Sequence, residues 1–464
     1  MTKLLQLLSV LCIVVLSAGA QTHQDASSRV DQMLTALQKS ANLPGISVAV
    51  SSHRDLIYKT AIGYADVKQQ QKLTVNHTIR TASVAKILTA TALGKLASDG
   101  QLDFEAPIRQ YVPYIVPAYA DLTVRQLAGH TSGMPHRPGG KGYQKKHFTD
   151  IRPTVELMKR PLEVAPGEKY QYSTHAYNLL AAVIEGVTQK PYAAWMKDSF
   201  FKPLGMKSTF PEEIASLTAN DARGYEISKG KIKSIKYGEG SYKLAGAGFR
   251  STPTDLVKLT DAFSNGMLSE KTIREMSQSG RLNDGSETQV GIGWRLSKDY
   301  AGRSTLEHAG NWHGTRTVVV YYPEEQLAVS IMINARCQIF IEELAHLIAA
   351  NFLSREEVSE VIPDMEEAVR LTLNLQSGPE QAEGVFEWRK GKGTLYIPES
   401  SFLKTAEVHP LGGKEGHALV TKYGLMYLSL KDVAQLEGSV FLYSTRNNVS
   451  PIQQKPFITF SPLN

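Results

Sequence analysis

Strand-forming sequence brackets a helical middle in this chain, and that order is the strongest constraint on how it folds. Gly45 to Ser51 and Asp55 to Tyr64 are rich in β-branched and small residues and meet at a polar tip, His53-Arg54, as two strands around a tight turn. Strand-like sequence returns at Gly291 to Leu296, Thr317 to Tyr322 and Leu327 to Asn334. Between these lie helical patterns. Ser83 to Ser98 spaces Ile87, Leu88, Leu93 and Leu96 for one buried face and stops at Asp99-Gly100. The region from about 110 to 240 mixes loops and helices, with a Gly/Pro-rich surface loop at Pro135 to Gly142. Arg29 to Lys39, with Val30, Met33, Leu34 and Leu37 on one face, and Ile341 to Phe352 complete the helices. The order predicts an α/β (α+β) fold: one sheet drawn from both ends, flanked by helices, with a helical region inserted between.

A charged stretch, Ser354 to Glu367, then leads to short strand candidates at Val385–Trp388, Thr394–Ile397, Ala418–Thr421, Leu425–Leu428, Val440–Tyr443 and Phe457–Phe460. These predict a small C-terminal all-β domain. The expected organisation is a signal peptide over 1–20, a main domain over 21–355 and a β-rich domain over 356–464.

Lys3, the apolar run Leu4 to Leu16 and Ala18-Gly19-Ala20 form the basic start, short core and A-x-A end of a secretory signal, with cleavage expected after Ala20. The run is shorter than the roughly 20 residues that span a bilayer, so no integral membrane segment is expected after its removal. The expected location is periplasmic or secreted. Cleavage leaves Cys337 as the one thiol, so a large core and not a disulfide must stabilise the protein. A net charge of +6 without dense basic blocks argues against nucleic acid, and the 12 scattered histidines show no metal-ligand spacing.

Ser83-Val84-Ala85-Lys86 carries the chemistry. Three apart at a helix start, Ser and Lys share a face, so the amine can reach the hydroxyl, which needs an adjacent base to take its proton as it attacks. The same S-x-x-K spacing at Ser199, Ser228 and Ser401 lacks matching partners downstream. For Ser83 those partners exist: Tyr172-Ser173-Thr174 after Pro166-Gly167-Glu168, and His308-Ala309-Gly310, the one H-x-G in the chain.

This order of S-x-x-K, Y-x-x and basic-x-G resembles the penicillin-binding proteins and class C β-lactamases. Leu43 to Val50, Leu127 to Gly133, Pro203-Leu204-Gly205-Met206 and Gly246 to Phe249 with Ser251-Thr252-Pro253 extend the likeness across about 30 to 350. Within that family the chain looks most like the mitochondrial serine β-lactamase-like branch of animals, on Arg80 to Lys86, Tyr172 to Ala182 and Ser241-Tyr242-Lys243. The resemblance implies a β-lactamase/transpeptidase-like antiparallel sheet and a serine hydrolase acting through an acyl-enzyme. It makes Ser83, Lys86 and Tyr172 catalytic, with either Lys86 or Tyr172 the immediate base. It gives His308, Gly310, Asn311 and Thr174 to the substrate, with the backbone N–H groups of Ser83 and Asn311 as oxyanion hole. No cofactor or metal is implied, and the expected partner is a small ester or peptide substrate.

Two departures bear on that substrate. Thr174 stands where the family has an amide-binding Asn, and His308 stands where it has a permanently charged Lys. A mostly neutral imidazole gives up the attraction for a β-lactam carboxylate, which points to an esterase or peptidase. The other class of function compatible with these motifs is a non-catalytic penicillin-binding-like protein that only holds peptide or peptidoglycan.

Overall fold

The structure is a computed structural model. It describes residues 24–463 apart from 140, 229, 354–363, 376–380, 399–403, 413–415, 433–435 and 442–455. The signal sequence, Ser401 and most of the charged stretch, including the expected boundary at 355, lie outside the described residues.

The chain divides into two compact units, one built mainly from 42–345 and the other from the N-terminal helix and the C-terminal strands. The first holds a seven-stranded antiparallel sheet. Its strands are β1 (Gly45–Ser52), β2 (Asp55–Asp66), β3 (Gln71–Lys72), β4 (Arg295–Lys298), β5 (Ser304–Trp312), β6 (Thr315–Tyr322) and β7 (Leu327–Ile333), in the spatial order β3-β2-β1-β7-β6-β5-β4. Sequence from both ends therefore meets in the centre, where Val48 faces Ile331 and Val50 faces Val329. Every residue of β7 is buried, and so is every residue of β1 except its last. Their apolar runs do not alternate because both faces of the central strands are covered.

Helix α2 (Ala85–Ser98) departs from the expected single buried face. Thr89, Ala90, Thr91, Ala92 and Gly94 are buried along with Ile87, Leu88, Leu93 and Leu96. It is a central helix, enclosed on all sides, and so carries no polar stripe. The strand expected at Gly291 to Leu296 also begins later, at Arg295. Gly293, with φ of 77°, turns the chain there and sends Trp294 into the core, where its indole donates to Thr91 Oγ1 at 3.2 Å. In the other unit, helix α1, over 24–40, buries Val30, Met33, Leu34 and Leu37, the face that the spacing predicts. The C-terminal strands close into an eight-stranded antiparallel barrel with its own core. Val369–Leu375 and Thr405–Pro410 are barrel strands that the sequence reading did not include.

The chain enters the first turn of α2 under tight restraint. Ile79–Arg80 pairs with Phe249–Ser251, and beneath that pairing lies a buried charge cluster. Arg80 Nη2 stands 2.6 Å from Glu212 Oε2 and Arg250 Nη1 3.0 Å from Glu212 Oε1, while Arg250 Nε meets Asp221 Oδ1 at 3.0 Å. Arg250 Nη2 also donates to the carbonyl oxygens of Thr78 and Ala222. Buried ions are tolerated only when each finds its partners, and removing one member leaves an uncompensated charge. Glu212→Gln should therefore lower unfolding stability by about 3–5 kcal/mol, read from the denaturant midpoint. A change below about 1 kcal/mol, the value of an exposed pair, would contradict the assigned role.

Candidate active site

Ser83 sits in a short 3-10 turn, Ala82–Val84, that runs directly into α2. Ala82 has a φ of 45°, in the left-handed region that a residue with a Cβ rarely adopts. The surrounding contacts hold it there. Thr317 Oγ1 donates to Thr81 O at 2.7 Å and Thr315 Oγ1 to Arg80 O at 2.8 Å, so hydroxyls of β6 grip the two residues before the turn. Thr81 N–H donates to Phe249 O at 2.9 Å from the other side. Gly310 on β5 completes the fit. A Cβ there would lie 2.6 Å from Thr81 O and 2.3 Å from Thr317 Oγ1.

Lys86 lies one helical turn on, and its amine is fully buried. Nζ stands 3.5 Å from Ser83 Oγ, 3.3 Å from Thr174 Oγ1 and 2.9 Å from Gly246 O. None of these neighbours is a carboxylate. Burial, and then the Arg295 charge, hold the amine's pKa well below the ordinary lysine value. As a neutral amine it gives one N–H to Gly246 O, which can only accept, and keeps a lone pair for a proton. Thr174, expected at the substrate, contacts the amine and also lines the cleft. The close approach needs Gly246, since a Cβ there would come 2.6 Å from Thr174 O.

Tyr172 hydrogen-bonds Ser83 through its hydroxyl, and burial pushes that phenol up. Its ring lies 4.7 Å from Lys86 Nζ. His308 lies within strand β5, which the sequence reading did not recognise, and its Nδ1 stands 2.9 Å from Ala309 O. Burial, then Arg295 and Lys86, hold the imidazole neutral, with a pKa well below the usual histidine value. Its ring centre is 6.4 Å from that of Tyr172. Asn311 follows on the same strand, exposed, at the mouth of the cleft. Thus the structure brings Ser83, Lys86, Tyr172, Thr174, His308, Gly310 and Asn311 to one place. Ser228, by contrast, is exposed on a hairpin, and Ser199 lies in a helical turn outside the cleft.

Two residues of the site had not been singled out. His130 packs its ring 4.3 Å from that of Tyr172, and its Nδ1 accepts the Ser173 N–H at 3.2 Å, fixing the Tyr172 turn. Arg295, on β4, pairs with Glu342 at 3.6 Å. Burial opposes its charge, but Glu342, Tyr170 and Tyr172 hold it, so Arg295 is a permanent cation beside Lys86, Tyr172 and His308. No local spacing marks either residue.

The cleft above Ser83 encloses about 530 Å³ and is lined by Tyr172, Thr174, Asn311 and Trp312 among others. Among the described residues no group of histidine, cysteine or carboxylate side chains could hold a metal. The Gly310 contacts make a direct test. Gly310→Ala should push the Ser83 turn off its seat, costing about 1–3 kcal/mol in stability by overpacking. Turnover should fall about 100-fold, the usual result of misplacing a reacting group by 1 Å. Unchanged kcat/KM with an ester probe would show that the strand does not position the nucleophile.

The Beta-lactamase family profile matches residues 30–344. Among curated proteins, protein flp of Staphylococcus aureus strain MW2 is 23% identical over 334 residues, covering 70% of this chain and 66% of its own length. The mitochondrial serine beta-lactamase-like protein of Homo sapiens is 28% identical over 307 residues, covering 51% of this chain and 55% of its own. The chain thus spans less than two thirds of the length of these relatives. Among solved structures, the octameric penicillin-binding protein homologue from Pyrococcus abyssi aligns with a TM-score of 0.61 at 19% identity, over 93% of this chain and 99% of that one. The D-amino acid amidase of Ochrobactrum anthropi SV3 aligns with a TM-score of 0.54 at 25% identity, over 66% and 92%. With the profile spanning most of the sequence and both sheet halves in place, this chain belongs to the Beta-lactamase family and has the β-lactamase/transpeptidase-like fold with an added closed β-domain.

Proposed function

We propose that the protein is an exported serine hydrolase that cleaves ester, amide or peptide bonds through an acyl-enzyme on Ser83, and is an esterase or peptidase before it is a β-lactamase. The observation that carries the reading is the buried Lys86 amine, 3.5 Å from Ser83 Oγ and with no carboxylate among its hydrogen-bond partners. The likeness to a D-amino acid amidase supports hydrolase chemistry. The N-terminal sequence supports export.

Lys86 is the better immediate base of the two candidates, because burial disfavours the phenolate of Tyr172 and favours the neutral amine of Lys86. As Ser83 Oγ bonds to the substrate carbonyl carbon, the hydroxyl proton passes to Lys86 Nζ. The carbonyl oxygen takes the negative charge and is held by the backbone N–H groups of Ser83 and Asn311. Tyr172, hydrogen-bonded to Ser83, hands a proton to the leaving group and is re-protonated from Lys86 as the carbonyl re-forms. In the second half water attacks the acyl carbon, its proton travels to Lys86 through Tyr172, and the Oγ–C bond breaks with Oγ regaining a proton. His308, held neutral, hydrogen-bonds the substrate or the Tyr172 network without contributing charge.

The first test is covalent. Wild-type protein should be labelled by a fluorophosphonate and Ser83→Ala should not be, with the fold retained; labelling of the Ala variant would move the nucleophile elsewhere. Substrate class is read from kcat/KM for nitrocefin against p-nitrophenyl acetate. Without a charged side chain at 308 to meet the β-lactam carboxylate from strand β5, a loss worth about 1.5–3 kcal/mol at that position, β-lactam turnover should be the slower by tenfold or more. A ratio far above one would make the protein a working β-lactamase. The pH profile follows from Lys86. The active amine is neutral, so rate is lost as pH falls through its folded pKa and rises with pH to a plateau. Because that pKa is lowered, the midpoint of the rise should lie well below 10.5. A midpoint at the free-lysine value would remove Lys86 as the base.

A further inference from the structure

The cleft over Ser83 carries more positive charge than acyl transfer needs. Arg137, Lys243 and Arg336 line it, and Glu239 is the one carboxylate among its described lining residues. That carboxylate is engaged: it accepts the backbone N–H groups of Gly240 and Ser241 at 2.9 Å each and stands 3.3 Å from His147 Nδ1. Arg336 stands 3.9 Å from Glu226, which is also 3.0 Å from His313 Nδ1. Lys243 and Arg137 have no carboxylate partner among the described residues.

Lys243 ends the short turn Ser241–Lys243 and lays its Nζ 3.5 Å from the centre of the Trp312 ring. The same indole has the Arg80 guanidinium 4.1 Å away. Glu212, the nearest acid in electrostatic reach, is taken by Arg80 and Arg250. The aromatic face favours a cation and the cleft leaves it without an anion. Burial, and then the neighbouring basic groups of Lys86, Arg80 and Arg137, bring its pKa down to about 7, with Glu212 opposing. An anion arriving between Lys243 and Arg137 would relieve that repulsion and restore full charge.

We propose that Lys243, backed by Arg137, is the substrate-anchoring cation of this cleft and receives a free carboxylate on a linear ester or peptide whose carbonyl is presented to Ser83. The inference rests on the acyl-enzyme reading and adds a substrate class to it. The anchor that His308 cannot supply from strand β5 is carried by another element, the 241–243 turn. Electrostatic complementarity of this kind also steers a charged substrate to its site.

Two matched pairs of substrates test it in the full chain. Mono-p-nitrophenyl adipate and its methyl ester place or remove a carboxylate on the acyl side; 4-acetoxybenzoate and its methyl ester do so on the leaving-group side. In at least one pair the wild type should favour the carboxylate member, and Lys243→Gln should lower that charged-to-neutral ratio of kcat/KM on the order of 10- to 100-fold. Arg137→Gln should lower it less. Fluorophosphonate labelling of Ser83 counts the folded sites in each variant. Adipate dianion should also inhibit wild-type hydrolysis of the neutral ester competitively and less strongly at high salt, which needs no variant. Turnover of both members with a ratio near one in both pairs overturns the anchor alone, as does a ratio that Lys243→Gln leaves unchanged. Failure of the wild type to turn over or be labelled by any probe overturns the acyl-enzyme reading itself.

Discussion

An amine buried without a carboxylate is the constraint on which the rest of this site depends. Lys86 Nζ lies among two hydroxyls and one carbonyl, with aromatic rings at 4.7 and 5.4 Å. Those rings favour a cation, but the loss of water weighs against the charge and brings the amine's pKa well below the ordinary lysine value. Every neighbour is consistent with that outcome. His130 and His308 are kept uncharged by the same burial, so neither adds a positive charge beside Ser83. Arg295 supplies a fixed positive charge, and its pairing with Glu342 anchors that charge. A carboxylate next to Lys86 would undo the arrangement by restoring the ammonium.

Holding a neutral amine against a serine demands backbone precision, and small residues provide it. Gly310 and Gly246 are the points where other chain segments approach within less than a Cβ's reach, one behind Ser83 and the other beside Lys86. Threonine hydroxyls of β6 then tie the strained turn at Ala82 to the sheet. The buried Arg80–Glu212–Arg250 cluster anchors the incoming strand. Strain at the nucleophile is thus balanced by contacts distributed over sheet, helix and charge cluster, so the site and the core are one mechanical unit.

Ser83 and Lys86 were legible in the sequence because their relation is local: three residues apart at a helix start, they must share a face. Tyr172 and His308 were legible only as members of an ordered set, and the fold then brings them to Ser83 from 89 and 225 residues away in sequence. His130, Arg295 and Lys243 were not legible as site residues, since only the fold puts them there. Strand β5 was hidden for a chemical reason. Its His-Ala-Gly-Asn centre has low strand propensity, and the hydrogen bonds to β6 override that preference. The barrel strand Thr405–Pro410 was hidden likewise, with acid, histidine and proline among its residues. Thr174 was legible as a departure from the family, but its contact with Lys86 depends on Gly246 and so belongs to the fold.

The histidine at 308 gains a physical explanation from these surroundings. A lysine on that strand position would bring a third basic group to a pocket that already contains the fixed Arg295 charge and the Lys86 amine. Each added positive charge there lowers the proton affinity of the others and raises the cost of burial. With Arg295 in place, a neutral side chain at 308 avoids that repulsion, and His308 accordingly shows a pKa depressed first by burial and then by Arg295 and Lys86. Positive charge is instead available at Lys243, whose amine lies over the Trp312 ring in the cleft, although burial brings its pKa down to about 7. The separation leaves proton transfer to uncharged groups around Ser83 and puts charge recognition on a different element of the fold.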